Sequence, residues 1–312
     1  MAFLNLTWMN GVKWMDGRKG KEISWDNVSL RSGVGLPGWW RGGGRVRPWR
    51  SDRGCRKLAS VVDPDALLHQ VEMELGGSDD PQHVMSVALQ TLGTDVAISF
   101  SGAEDIVLLE YARRTKRNFR VFSLDTGRLH PETYRLFAEA EKFFQIRIEY
   151  CFPDASQVEA LVNTKGLFSF YEEGHKECCG VRKVNPLRKK LSSLRGWITG
   201  QRTDQSPSTR TNVNIVEMDT SFAGRDGVPL IKFNPLAKTS SEHVWNVIRS
   251  CNLPRNDLHL QGFKSIGCEP CTSAVIPSQH EREGRWSWEE ATLKECGLHA
   301  GNIQTNEQSL SQ

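Results

Sequence analysis

VAISFSGAEDIVLLEYARRT, residues 96–115, changes its hydrophobic pattern partway along. Its first six residues are a short apolar run typical of a buried strand, and EDIVLLEYARRT (104–115) has the apolar spacing of a helix. The alternation continues through strand FRVFSLD (119–125), helix PETYRLFAEAEKFF (131–144) and strand IRIEYC (146–151). Strands that alternate with helices predict an α/β fold with a mostly parallel, doubly wound sheet.

Two further helices are expected before the first strand. DPDALLHQVEMELG (63–76) and DPQHVMSVALQTLG (80–93) each begin with Asp-Pro and carry apolar residues at helical spacing. Aspartate is a good helix N-cap and proline suits the first helical position, so both segments predict helices that lead into the sheet.

Unusual polar residues follow the strands, where parallel α/β sheets bind their ligands. SGAED (101–105) is a turn that presents backbone N–H groups at a helix N-terminus, which favours phosphate or sulfate, although it also suits a tight turn without ligand. TGQRTDQSPSTR (199–210) follows the short strand WITG (197–200) and offers Arg202 and Arg210. Arginine pairs bidentately with such anions, so we expect both to bind it; a solvated basic loop is the alternative.

Two cysteine pairs stand far apart in the sequence. Cys178 and Cys179 are adjacent in HKECCGVRKV, and Cys268 and Cys271 form C-x-x-C in SIGCEPCTS. A disulfide between neighbouring residues requires backbone strain, so metal ligation or redox chemistry is the better interpretation. Adjacent ligands strain a tetrahedral zinc site, whereas an iron–sulfur cluster offers separate iron atoms. We therefore favour [4Fe–4S], with zinc or a redox dithiol as alternatives.

Composition restricts the class of protein. The chain has 312 residues, of which 38% are hydrophobic, enough for a soluble globular core. We expect no membrane interaction and no secretory signal, because the sequence contains no apolar run of about eighteen residues and no short apolar segment after a basic N-terminus. Eight cysteines in an intracellular protein then indicate metal or nucleophilic use rather than a disulfide framework.

The first sixty residues differ in composition from the rest. They hold twelve Lys/Arg and four Asp/Glu, against 28 and 33 in the remainder, together with six of the ten tryptophans. GLPGWWRGGGRVRPWR (35–50) has neither helical nor strand period, so residues 1–62 are predicted to be a disordered or targeting leader. As a transit peptide it would direct the protein to the plastid stroma; otherwise a cytoplasmic location is expected. One alternative for this leader is nucleic-acid binding through interleaved Arg and Trp, and another is a mistranslated or alternatively spliced segment. We expect no nucleic-acid partner.

Seven motifs together resemble a known family. In chain order they are SFSGAED, SLDTGRLHPETY, ECCGVRKVNPL, TGQRTDQSPSTR, LHLQGFKSIGCEPCT, HEREGRW and KECGLH. They are similar to motifs of the sulfonucleotide reductases of assimilatory sulfate reduction, and specifically to the adenylyl-sulfate (APS) reductases of plants and many bacteria. The match predicts a reductase domain at 63–303 and a tail at 304–312. It implies a Rossmann-like adenine-nucleotide-binding fold with a mobile C-terminal segment.

The resemblance also implies individual roles. The nucleotide-binding turn would comprise Ser99, Ser101, Gly102, Ala103, Glu104 and Asp105. Leu124 and Gly200 would lie beside the adenine. The phosphosulfate would be bound by Lys183, Arg210, Arg282 and Arg285. Cys178, Cys179, Cys268 and Cys271 would ligate a [4Fe–4S] cluster, with Lys183 beside it.

Cys296 in KECGLH is the nucleophile that the resemblance implies. Its thiolate would attack the sulfate sulfur of APS, giving AMP and an enzyme S-sulfocysteine, and a second thiol would release sulfite for cysteine biosynthesis. Lys294 and His299 would favour the thiolate, and Glu295 would oppose it if it faced the sulfur. Plant members usually carry a thioredoxin-like domain after this region. Since the sequence ends at NIQTNEQSLSQ, we expect thioredoxin, glutaredoxin or glutathione as a separate reductant.

Three residues depart from the family pattern. Ser273 and Ala274 stand where the family usually has Arg and Pro, and Ser287 stands where it has Trp. The alternatives to an APS reductase are a reductase of the 3′-phosphorylated substrate (PAPS), a tRNA-thiolating enzyme with a related nucleotide-binding turn, and a non-enzymatic iron–sulfur redox sensor. The sequence leaves a homo-oligomer open.

Overall fold

Helices and strands alternate along the chain as the sequence predicts. The computed structural model describes residues 63–206, 210 and 213–289. Its strands are β1 (Val96–Ser99), β2 (Arg120–Leu124), β3 (Ile148–Cys151), β4 (Gly196–Ile198), β5 (Val216–Ala223) and β6 (Pro229–Phe233). Its α-helices are α1 (Pro64–Leu75), α2 (Pro81–Leu92), α3 (Ala103–Arg114), α4 (Pro131–Phe144), α5 (Ala155–Lys165), α6 (Ser169–Glu172), α7 (Lys176–Cys179), α8 (Asn185–Leu191) and α9 (Ser241–Ser250).

The two leading helices begin where the Asp-Pro pairs predict. The Asp63 carboxylate accepts a hydrogen bond from the Asp65 amide, and that of Asp80 accepts from the amides of Gln82 and His83. These bonds satisfy N–H groups that have no partner within the helix, which fixes the start of α1 and of α2.

The six strands form one sheet in the order β3-β2-β1-β4-β6-β5, and only β5 runs antiparallel among the described strands. The chain moves outward from β1 to β3 and then returns to the other side of β1 to form β4. The loops after β1 and β4 therefore diverge and leave a crevice at the carboxyl edge, which is the usual ligand position in such sheets. The predicted α/β, mostly parallel fold is confirmed.

Helices cover both faces of the sheet. Val96 and Ile98 of β1 pack into the core formed with α1 to α4 and α9, whereas Ala97 between them packs into a second core against α8. Successive strand side chains point to opposite faces, so a strand buried on both sides is apolar at every position. Among the described residues, no helix has the length and apolar character needed to cross a bilayer.

Candidate active site

One cavity at the carboxyl edge of β1, β2 and β4 collects every substrate residue that the family resemblance implies. The twelve residues Ser99, Ser101, Gly102, Ala103, Glu104, Asp105, Leu124, Lys183, Gly200, Arg210, Arg282 and Arg285 all line it. They come from five separate segments of the chain. The fold therefore brings together residues that the sequence could associate only through motif order.

Asp105 organises the turn between β1 and α3. Its Oδ2 accepts hydrogen bonds from the Ser101 amide (2.7 Å), the Ser101 hydroxyl (2.9 Å) and the Gly102 amide (3.1 Å). Burial, followed by the nearby charge of Glu104, raises the pKa of Asp105 to about 7. The turn was expected to offer these two amides to an anion, but they are bound by the chain's own carboxyl group.

Gly200 allows the loops after β1 and β4 to touch. A Cβ at Gly200 would lie 2.5 Å from Asp105 Oδ1 and 2.7 Å from Glu104 Cβ. Any other residue would force the two loops apart, because Glu104 Cβ is bonded to the backbone and cannot move far enough to make room for a second Cβ. The glycine thus closes the base of the crevice at the point where the strand order reverses.

Positive charge enters the cavity from three segments. Lys183 lies between α7 and α8, Arg210 follows β4, and Arg282 and Arg285 belong to the segment 280–286. Arg285 is buried, lies over the Trp286 ring at 4.6 Å, and occupies the space where a Cβ of Gly267 would be. Four cations around one cavity suit a ligand with several anionic oxygens.

Arg202 was expected to bind the same anion, and this expectation is wrong. Its side chain is only 1% exposed and forms ion pairs with Glu104, Asp204 and Glu281. It is absent from the cavity lining, to which this loop contributes Arg210 instead. Sequence spacing could not separate the two arginines, because both lie in one loop after the same strand.

The four predicted cluster ligands meet beside the cavity. Cys178, Cys179, Cys268 and Cys271 line one small pocket, together with Phe170 and several basic residues. Three of these thiols are buried and Cys178 is partly buried. Lys183 lines both this pocket and the larger cavity, so a charge held by the thiols would act directly on the anion end of the cavity.

A π-helical turn directly follows the adjacent cysteines. α7 ends at Cys179 and continues without a break through the π-turn Gly180–Val184 into α8. Such a wide turn inserts an extra residue into the helix and often marks a functional site. Here it lies between the cysteine pair and α8 and carries Lys183.

The surroundings of the thiols fit an iron–sulfur cluster. The indole N–H groups of Trp286 and Trp288 pack in the same group of residues and, among the described residues, have no hydrogen-bond acceptor. Burial, followed by the charge of Cys268, raises the pKa of Cys271 to about 12, so its ionisation requires a cation. No three ligand-type residues of the described chain converge on one ion position, and a cubane does not require that, because each thiolate binds a different iron.

Comparison with known proteins gives the family. The model of the phosphoadenosine phosphosulfate reductase domain matches residues 95–274. The chain belongs to this family. The match runs from the start of β1 through both cysteine pairs. It covers the whole thiol pocket and the cavity lining except Glu281, Arg282 and Arg285, which follow residue 274. A crystal structure of a phosphoadenylyl-sulfate reductase from Candida auris, in a phosphate complex, shares the fold, with TM-score 0.54 and 24% identity over 67% of this chain and 96% of that one.

Relatives within the family are more similar in sequence. The 5′-adenylylsulfate reductase 3, chloroplastic, of Arabidopsis thaliana is 60% identical over 80% of this chain and 54% of its own length. An adenosine 5′-phosphosulfate reductase of Pseudomonas aeruginosa (strain LESB58) is 56% identical over 72% of this chain and 83% of its own length. The chain thus spans about half the length of the plant relatives that it matches.

Several cavity residues were not predicted from the sequence. They include Thr126, Gln205, Lys264 and Glu281. Thr126 also places its hydroxyl 3.2 Å from Cys268 Sγ, which links the cavity to the thiol pocket. All four lie within motifs that were recognised, and Glu281 directly precedes the selected Arg282.

Some predictions fall on residues outside the described ranges. These are the leader at 1–62, Cys296 with its neighbours Lys294, Glu295 and His299, the mobile C-terminal segment that the resemblance implies, and the tail at 304–312. Within the described ranges, His259 lines the cavity and His130 is buried at the start of α4.

Asp105 makes the stability of the domain depend on pH. Because its pKa is about 7 in the folded state against 3.8 ordinarily, its stabilising contribution is complete below pH 3.8 and is lost as pH rises through 7. We expect wild type to lose on the order of 2 kcal/mol of unfolding free energy relative to Asp105→Asn between pH 5 and 8. Urea unfolding at both pH values measures this loss. Asp63→Asn, which exchanges one exposed N-cap for another, is the control. Parallel pH profiles of wild type and Asp105→Asn would contradict the prediction.

Proposed function

We propose that the chain reduces adenosine 5′-phosphosulfate to sulfite and AMP in sulfate assimilation. The observation that carries this proposal is the single cavity that twelve predicted substrate residues line and that Lys183 connects to the four-thiol pocket. The names of the plant and bacterial relatives support the same substrate. The proposal extends to the oxidoreductase class and to a role in supplying sulfite for cysteine biosynthesis.

The cavity residues would bind and orient the substrate. Lys183, Arg210, Arg282 and Arg285 would neutralise the phosphosulfate oxygens, and the turn fixed by Asp105 would hold the nucleotide at the end of β1. Cation pairing makes AMP a better leaving group, since charge develops on its phosphate oxygen as the bond to sulfur breaks.

The chemistry would rest on Cys296. Its thiolate would form a bond to the sulfate sulfur while the bond between sulfur and the phosphate oxygen breaks and AMP departs. A thiol of thioredoxin, glutaredoxin or glutathione would then attack Cys296 Sγ, releasing sulfite and leaving a mixed disulfide. A second thiol would resolve the mixed disulfide, so two thiols become a disulfide as sulfur is reduced by two electrons. When bound by the four cysteines, a [4Fe–4S] cluster would supply electrostatic tuning of the sulfate end rather than electrons.

Sulfite release from APS tests the proposal directly. Protein purified without oxygen is mixed with APS and excess reduced thioredoxin. We expect sulfite and AMP to form in equal amounts. A tRNA-thiolating enzyme or a non-enzymatic redox sensor would release neither product. For location, the chloroplastic names of the plant relatives and the Arg-rich leader support the plastid stroma.

APS should be turned over far more efficiently than PAPS. A 3′-phosphate adds up to two negative charges and requires its own donors, or else a desolvation cost of several kcal/mol. In the loop after β4, Arg202 is held by three carboxylates, and the Thr203 hydroxyl donates to the Ala237 carbonyl at 2.9 Å. We expect kcat/KM for APS to exceed that for PAPS by at least about a hundredfold, measured with excess thioredoxin. Equal efficiency would reject the substrate and leave the Cys296 mechanism standing.

A further inference from the structure

Arg202 joins three carboxylates around one buried guanidinium. Its Nε and Nη2 lie 3.1 and 2.9 Å from Glu104 Oε1, and Nη2 lies 3.3 Å from Glu281 Oε2. Nη1 also pairs with Asp204. Glu104 and Glu281 are 98 and 79 residues away in sequence, so the contacts connect α3, the loop after β4 and the segment 280–286.

These contacts adjoin the cations of the cavity. Glu281 directly precedes Arg282 in the chain, and both line the cavity. Gln205 extends the network, because its amide donates to Glu104 Oε1 at 2.9 Å while its carbonyl oxygen accepts from the Arg202 amide and from the Arg210 guanidinium. Displacement of Arg202 would therefore reach the segments that carry two of the four cations.

The charge balance makes this network depend on Arg202. One guanidinium faces three carboxylates, and burial raises the pKa of Glu281 to about 7 although Arg202 opposes the shift. Asp204 is half exposed, but the partly buried carboxylates of Glu104 and Glu281 would lose their cationic partner without the guanidinium. Each would have to take up a proton or move toward water, and movement of Glu281 would carry Arg282 with it.

We propose that Arg202 is a positioning residue that holds Arg210 and Arg282 at the anion end of the cavity without touching the substrate. This inference deepens the proposed function and rests on it for the identity of the anion. One part of the inference does not depend on the reaction. When the network is disturbed, the second anionic group of a bound nucleotide loses its binding partners even though the protein remains folded.

Binding of ADP and AMP to the full-length protein tests the inference. ADP carries a second anionic group, as APS does, but cannot transfer sulfur. We expect Arg202→Lys, which keeps the charge but loses the planar fork, to weaken ADP binding by at least about tenfold and AMP binding much less. Glu281→Gln should act similarly, because the neutral amide releases the segment. Glu283→Gln is the control, since Glu283 is exposed on the same segment and accepts a local bond from the His280 amide.

The variants also separate positioning from a merely structural role. A structural role would lower the thermal midpoint of Arg202→Lys and leave the ratio of ADP to AMP affinity and the kcat for APS unchanged. Combining Arg202→Lys with Glu281→Gln should cost no more than about threefold beyond the worse single variant, because both disrupt one interaction. If Arg202→Lys fails to fold, Glu281→Gln alone carries the comparison.

Each outcome decides between the two proposals. An unchanged ADP to AMP ratio in both variants, with APS turnover in wild type, overturns the role of Arg202 and leaves the proposed function intact. A lowered ratio without APS turnover in wild type supports Arg202 and rejects the proposed reaction. If wild type binds neither nucleotide, both proposals are overturned.

Discussion

Cys296→Ser should lower APS-dependent sulfite release by at least about a thousandfold and leave nucleotide binding intact. A serine hydroxyl is far less ionised than a thiol near neutral pH and is a weaker nucleophile, so the sulfur–oxygen bond of APS would not be attacked. Mass spectrometry of wild type mixed with APS in the absence of reductant should show a sulfonate adduct on the peptide that contains Cys296. The variant should show no adduct.

Cys251→Ser is the matched control for this experiment. Cys251 lies at the end of α9, where Arg114 Nη2 contacts its sulfur at 3.1 Å, outside the cavity lining. Its variant should retain sulfite release and the adduct on Cys296. An adduct on Cys151 or Cys251 in wild type would reject Cys296 as the nucleophile while leaving the substrate unaffected.

Cys268→Ser should remove the iron–sulfur centre. Anaerobically purified wild type should be brown and contain about four irons and four acid-labile sulfides per chain, as a cubane with four cysteine ligands requires. Cys268 is buried, and its sulfur contacts the Thr126 hydroxyl at 3.2 Å. A serine at this position could not shift to let another residue replace it as a ligand without displacing the loop after β2. Iron and sulfide analysis with visible absorbance measures the loss.

Cys151→Ser separates loss of a ligand from loss of a thiol in general. Cys151 ends β3 and does not line the thiol pocket, so its variant should keep the full iron content and colour. Cys178→Ser, on the other pair, should lose iron as Cys268→Ser does. One equivalent of zinc without labile sulfide in wild type would show that the four thiols bind a single ion instead.

Hydrophobic period predicted helices α1 to α4 and strands β1 to β4, but not β5 and β6. Apolar runs of strand length, separated by amphipathic helices, permit burial on both faces only in a parallel sheet, and β1 to β4 lie where the sequence predicts them. The Asp-Pro starts of α1 and α2 were equally local, since an N-cap carboxylate bonds to amides two or three residues away. Such features are readable because their partners are close in sequence.

The cysteine pairs and the cavity residues were predicted from the order of several motifs rather than from a local pattern. Neither pair indicates by itself where it lies, but four thiols and seven ordered motifs restrict the arrangement far more than any single motif does. The structure places both pairs in one pocket and all twelve predicted substrate residues in one cavity. Their shared location follows from the sheet, because loops at the carboxyl ends of neighbouring parallel strands must lie side by side.

Only the tertiary structure decided what individual polar side chains do. Arg202 and Arg210 share a loop and a charge, yet burial against Glu104 and Glu281 makes Arg202 part of the framework and leaves Arg210 at the cavity. The Ser101 and Gly102 amides were expected to bind an anion, but Asp105 accepts their hydrogen bonds. The free energy of a polar group depends on whether partners from distant segments replace its lost water, and local sequence does not contain that information.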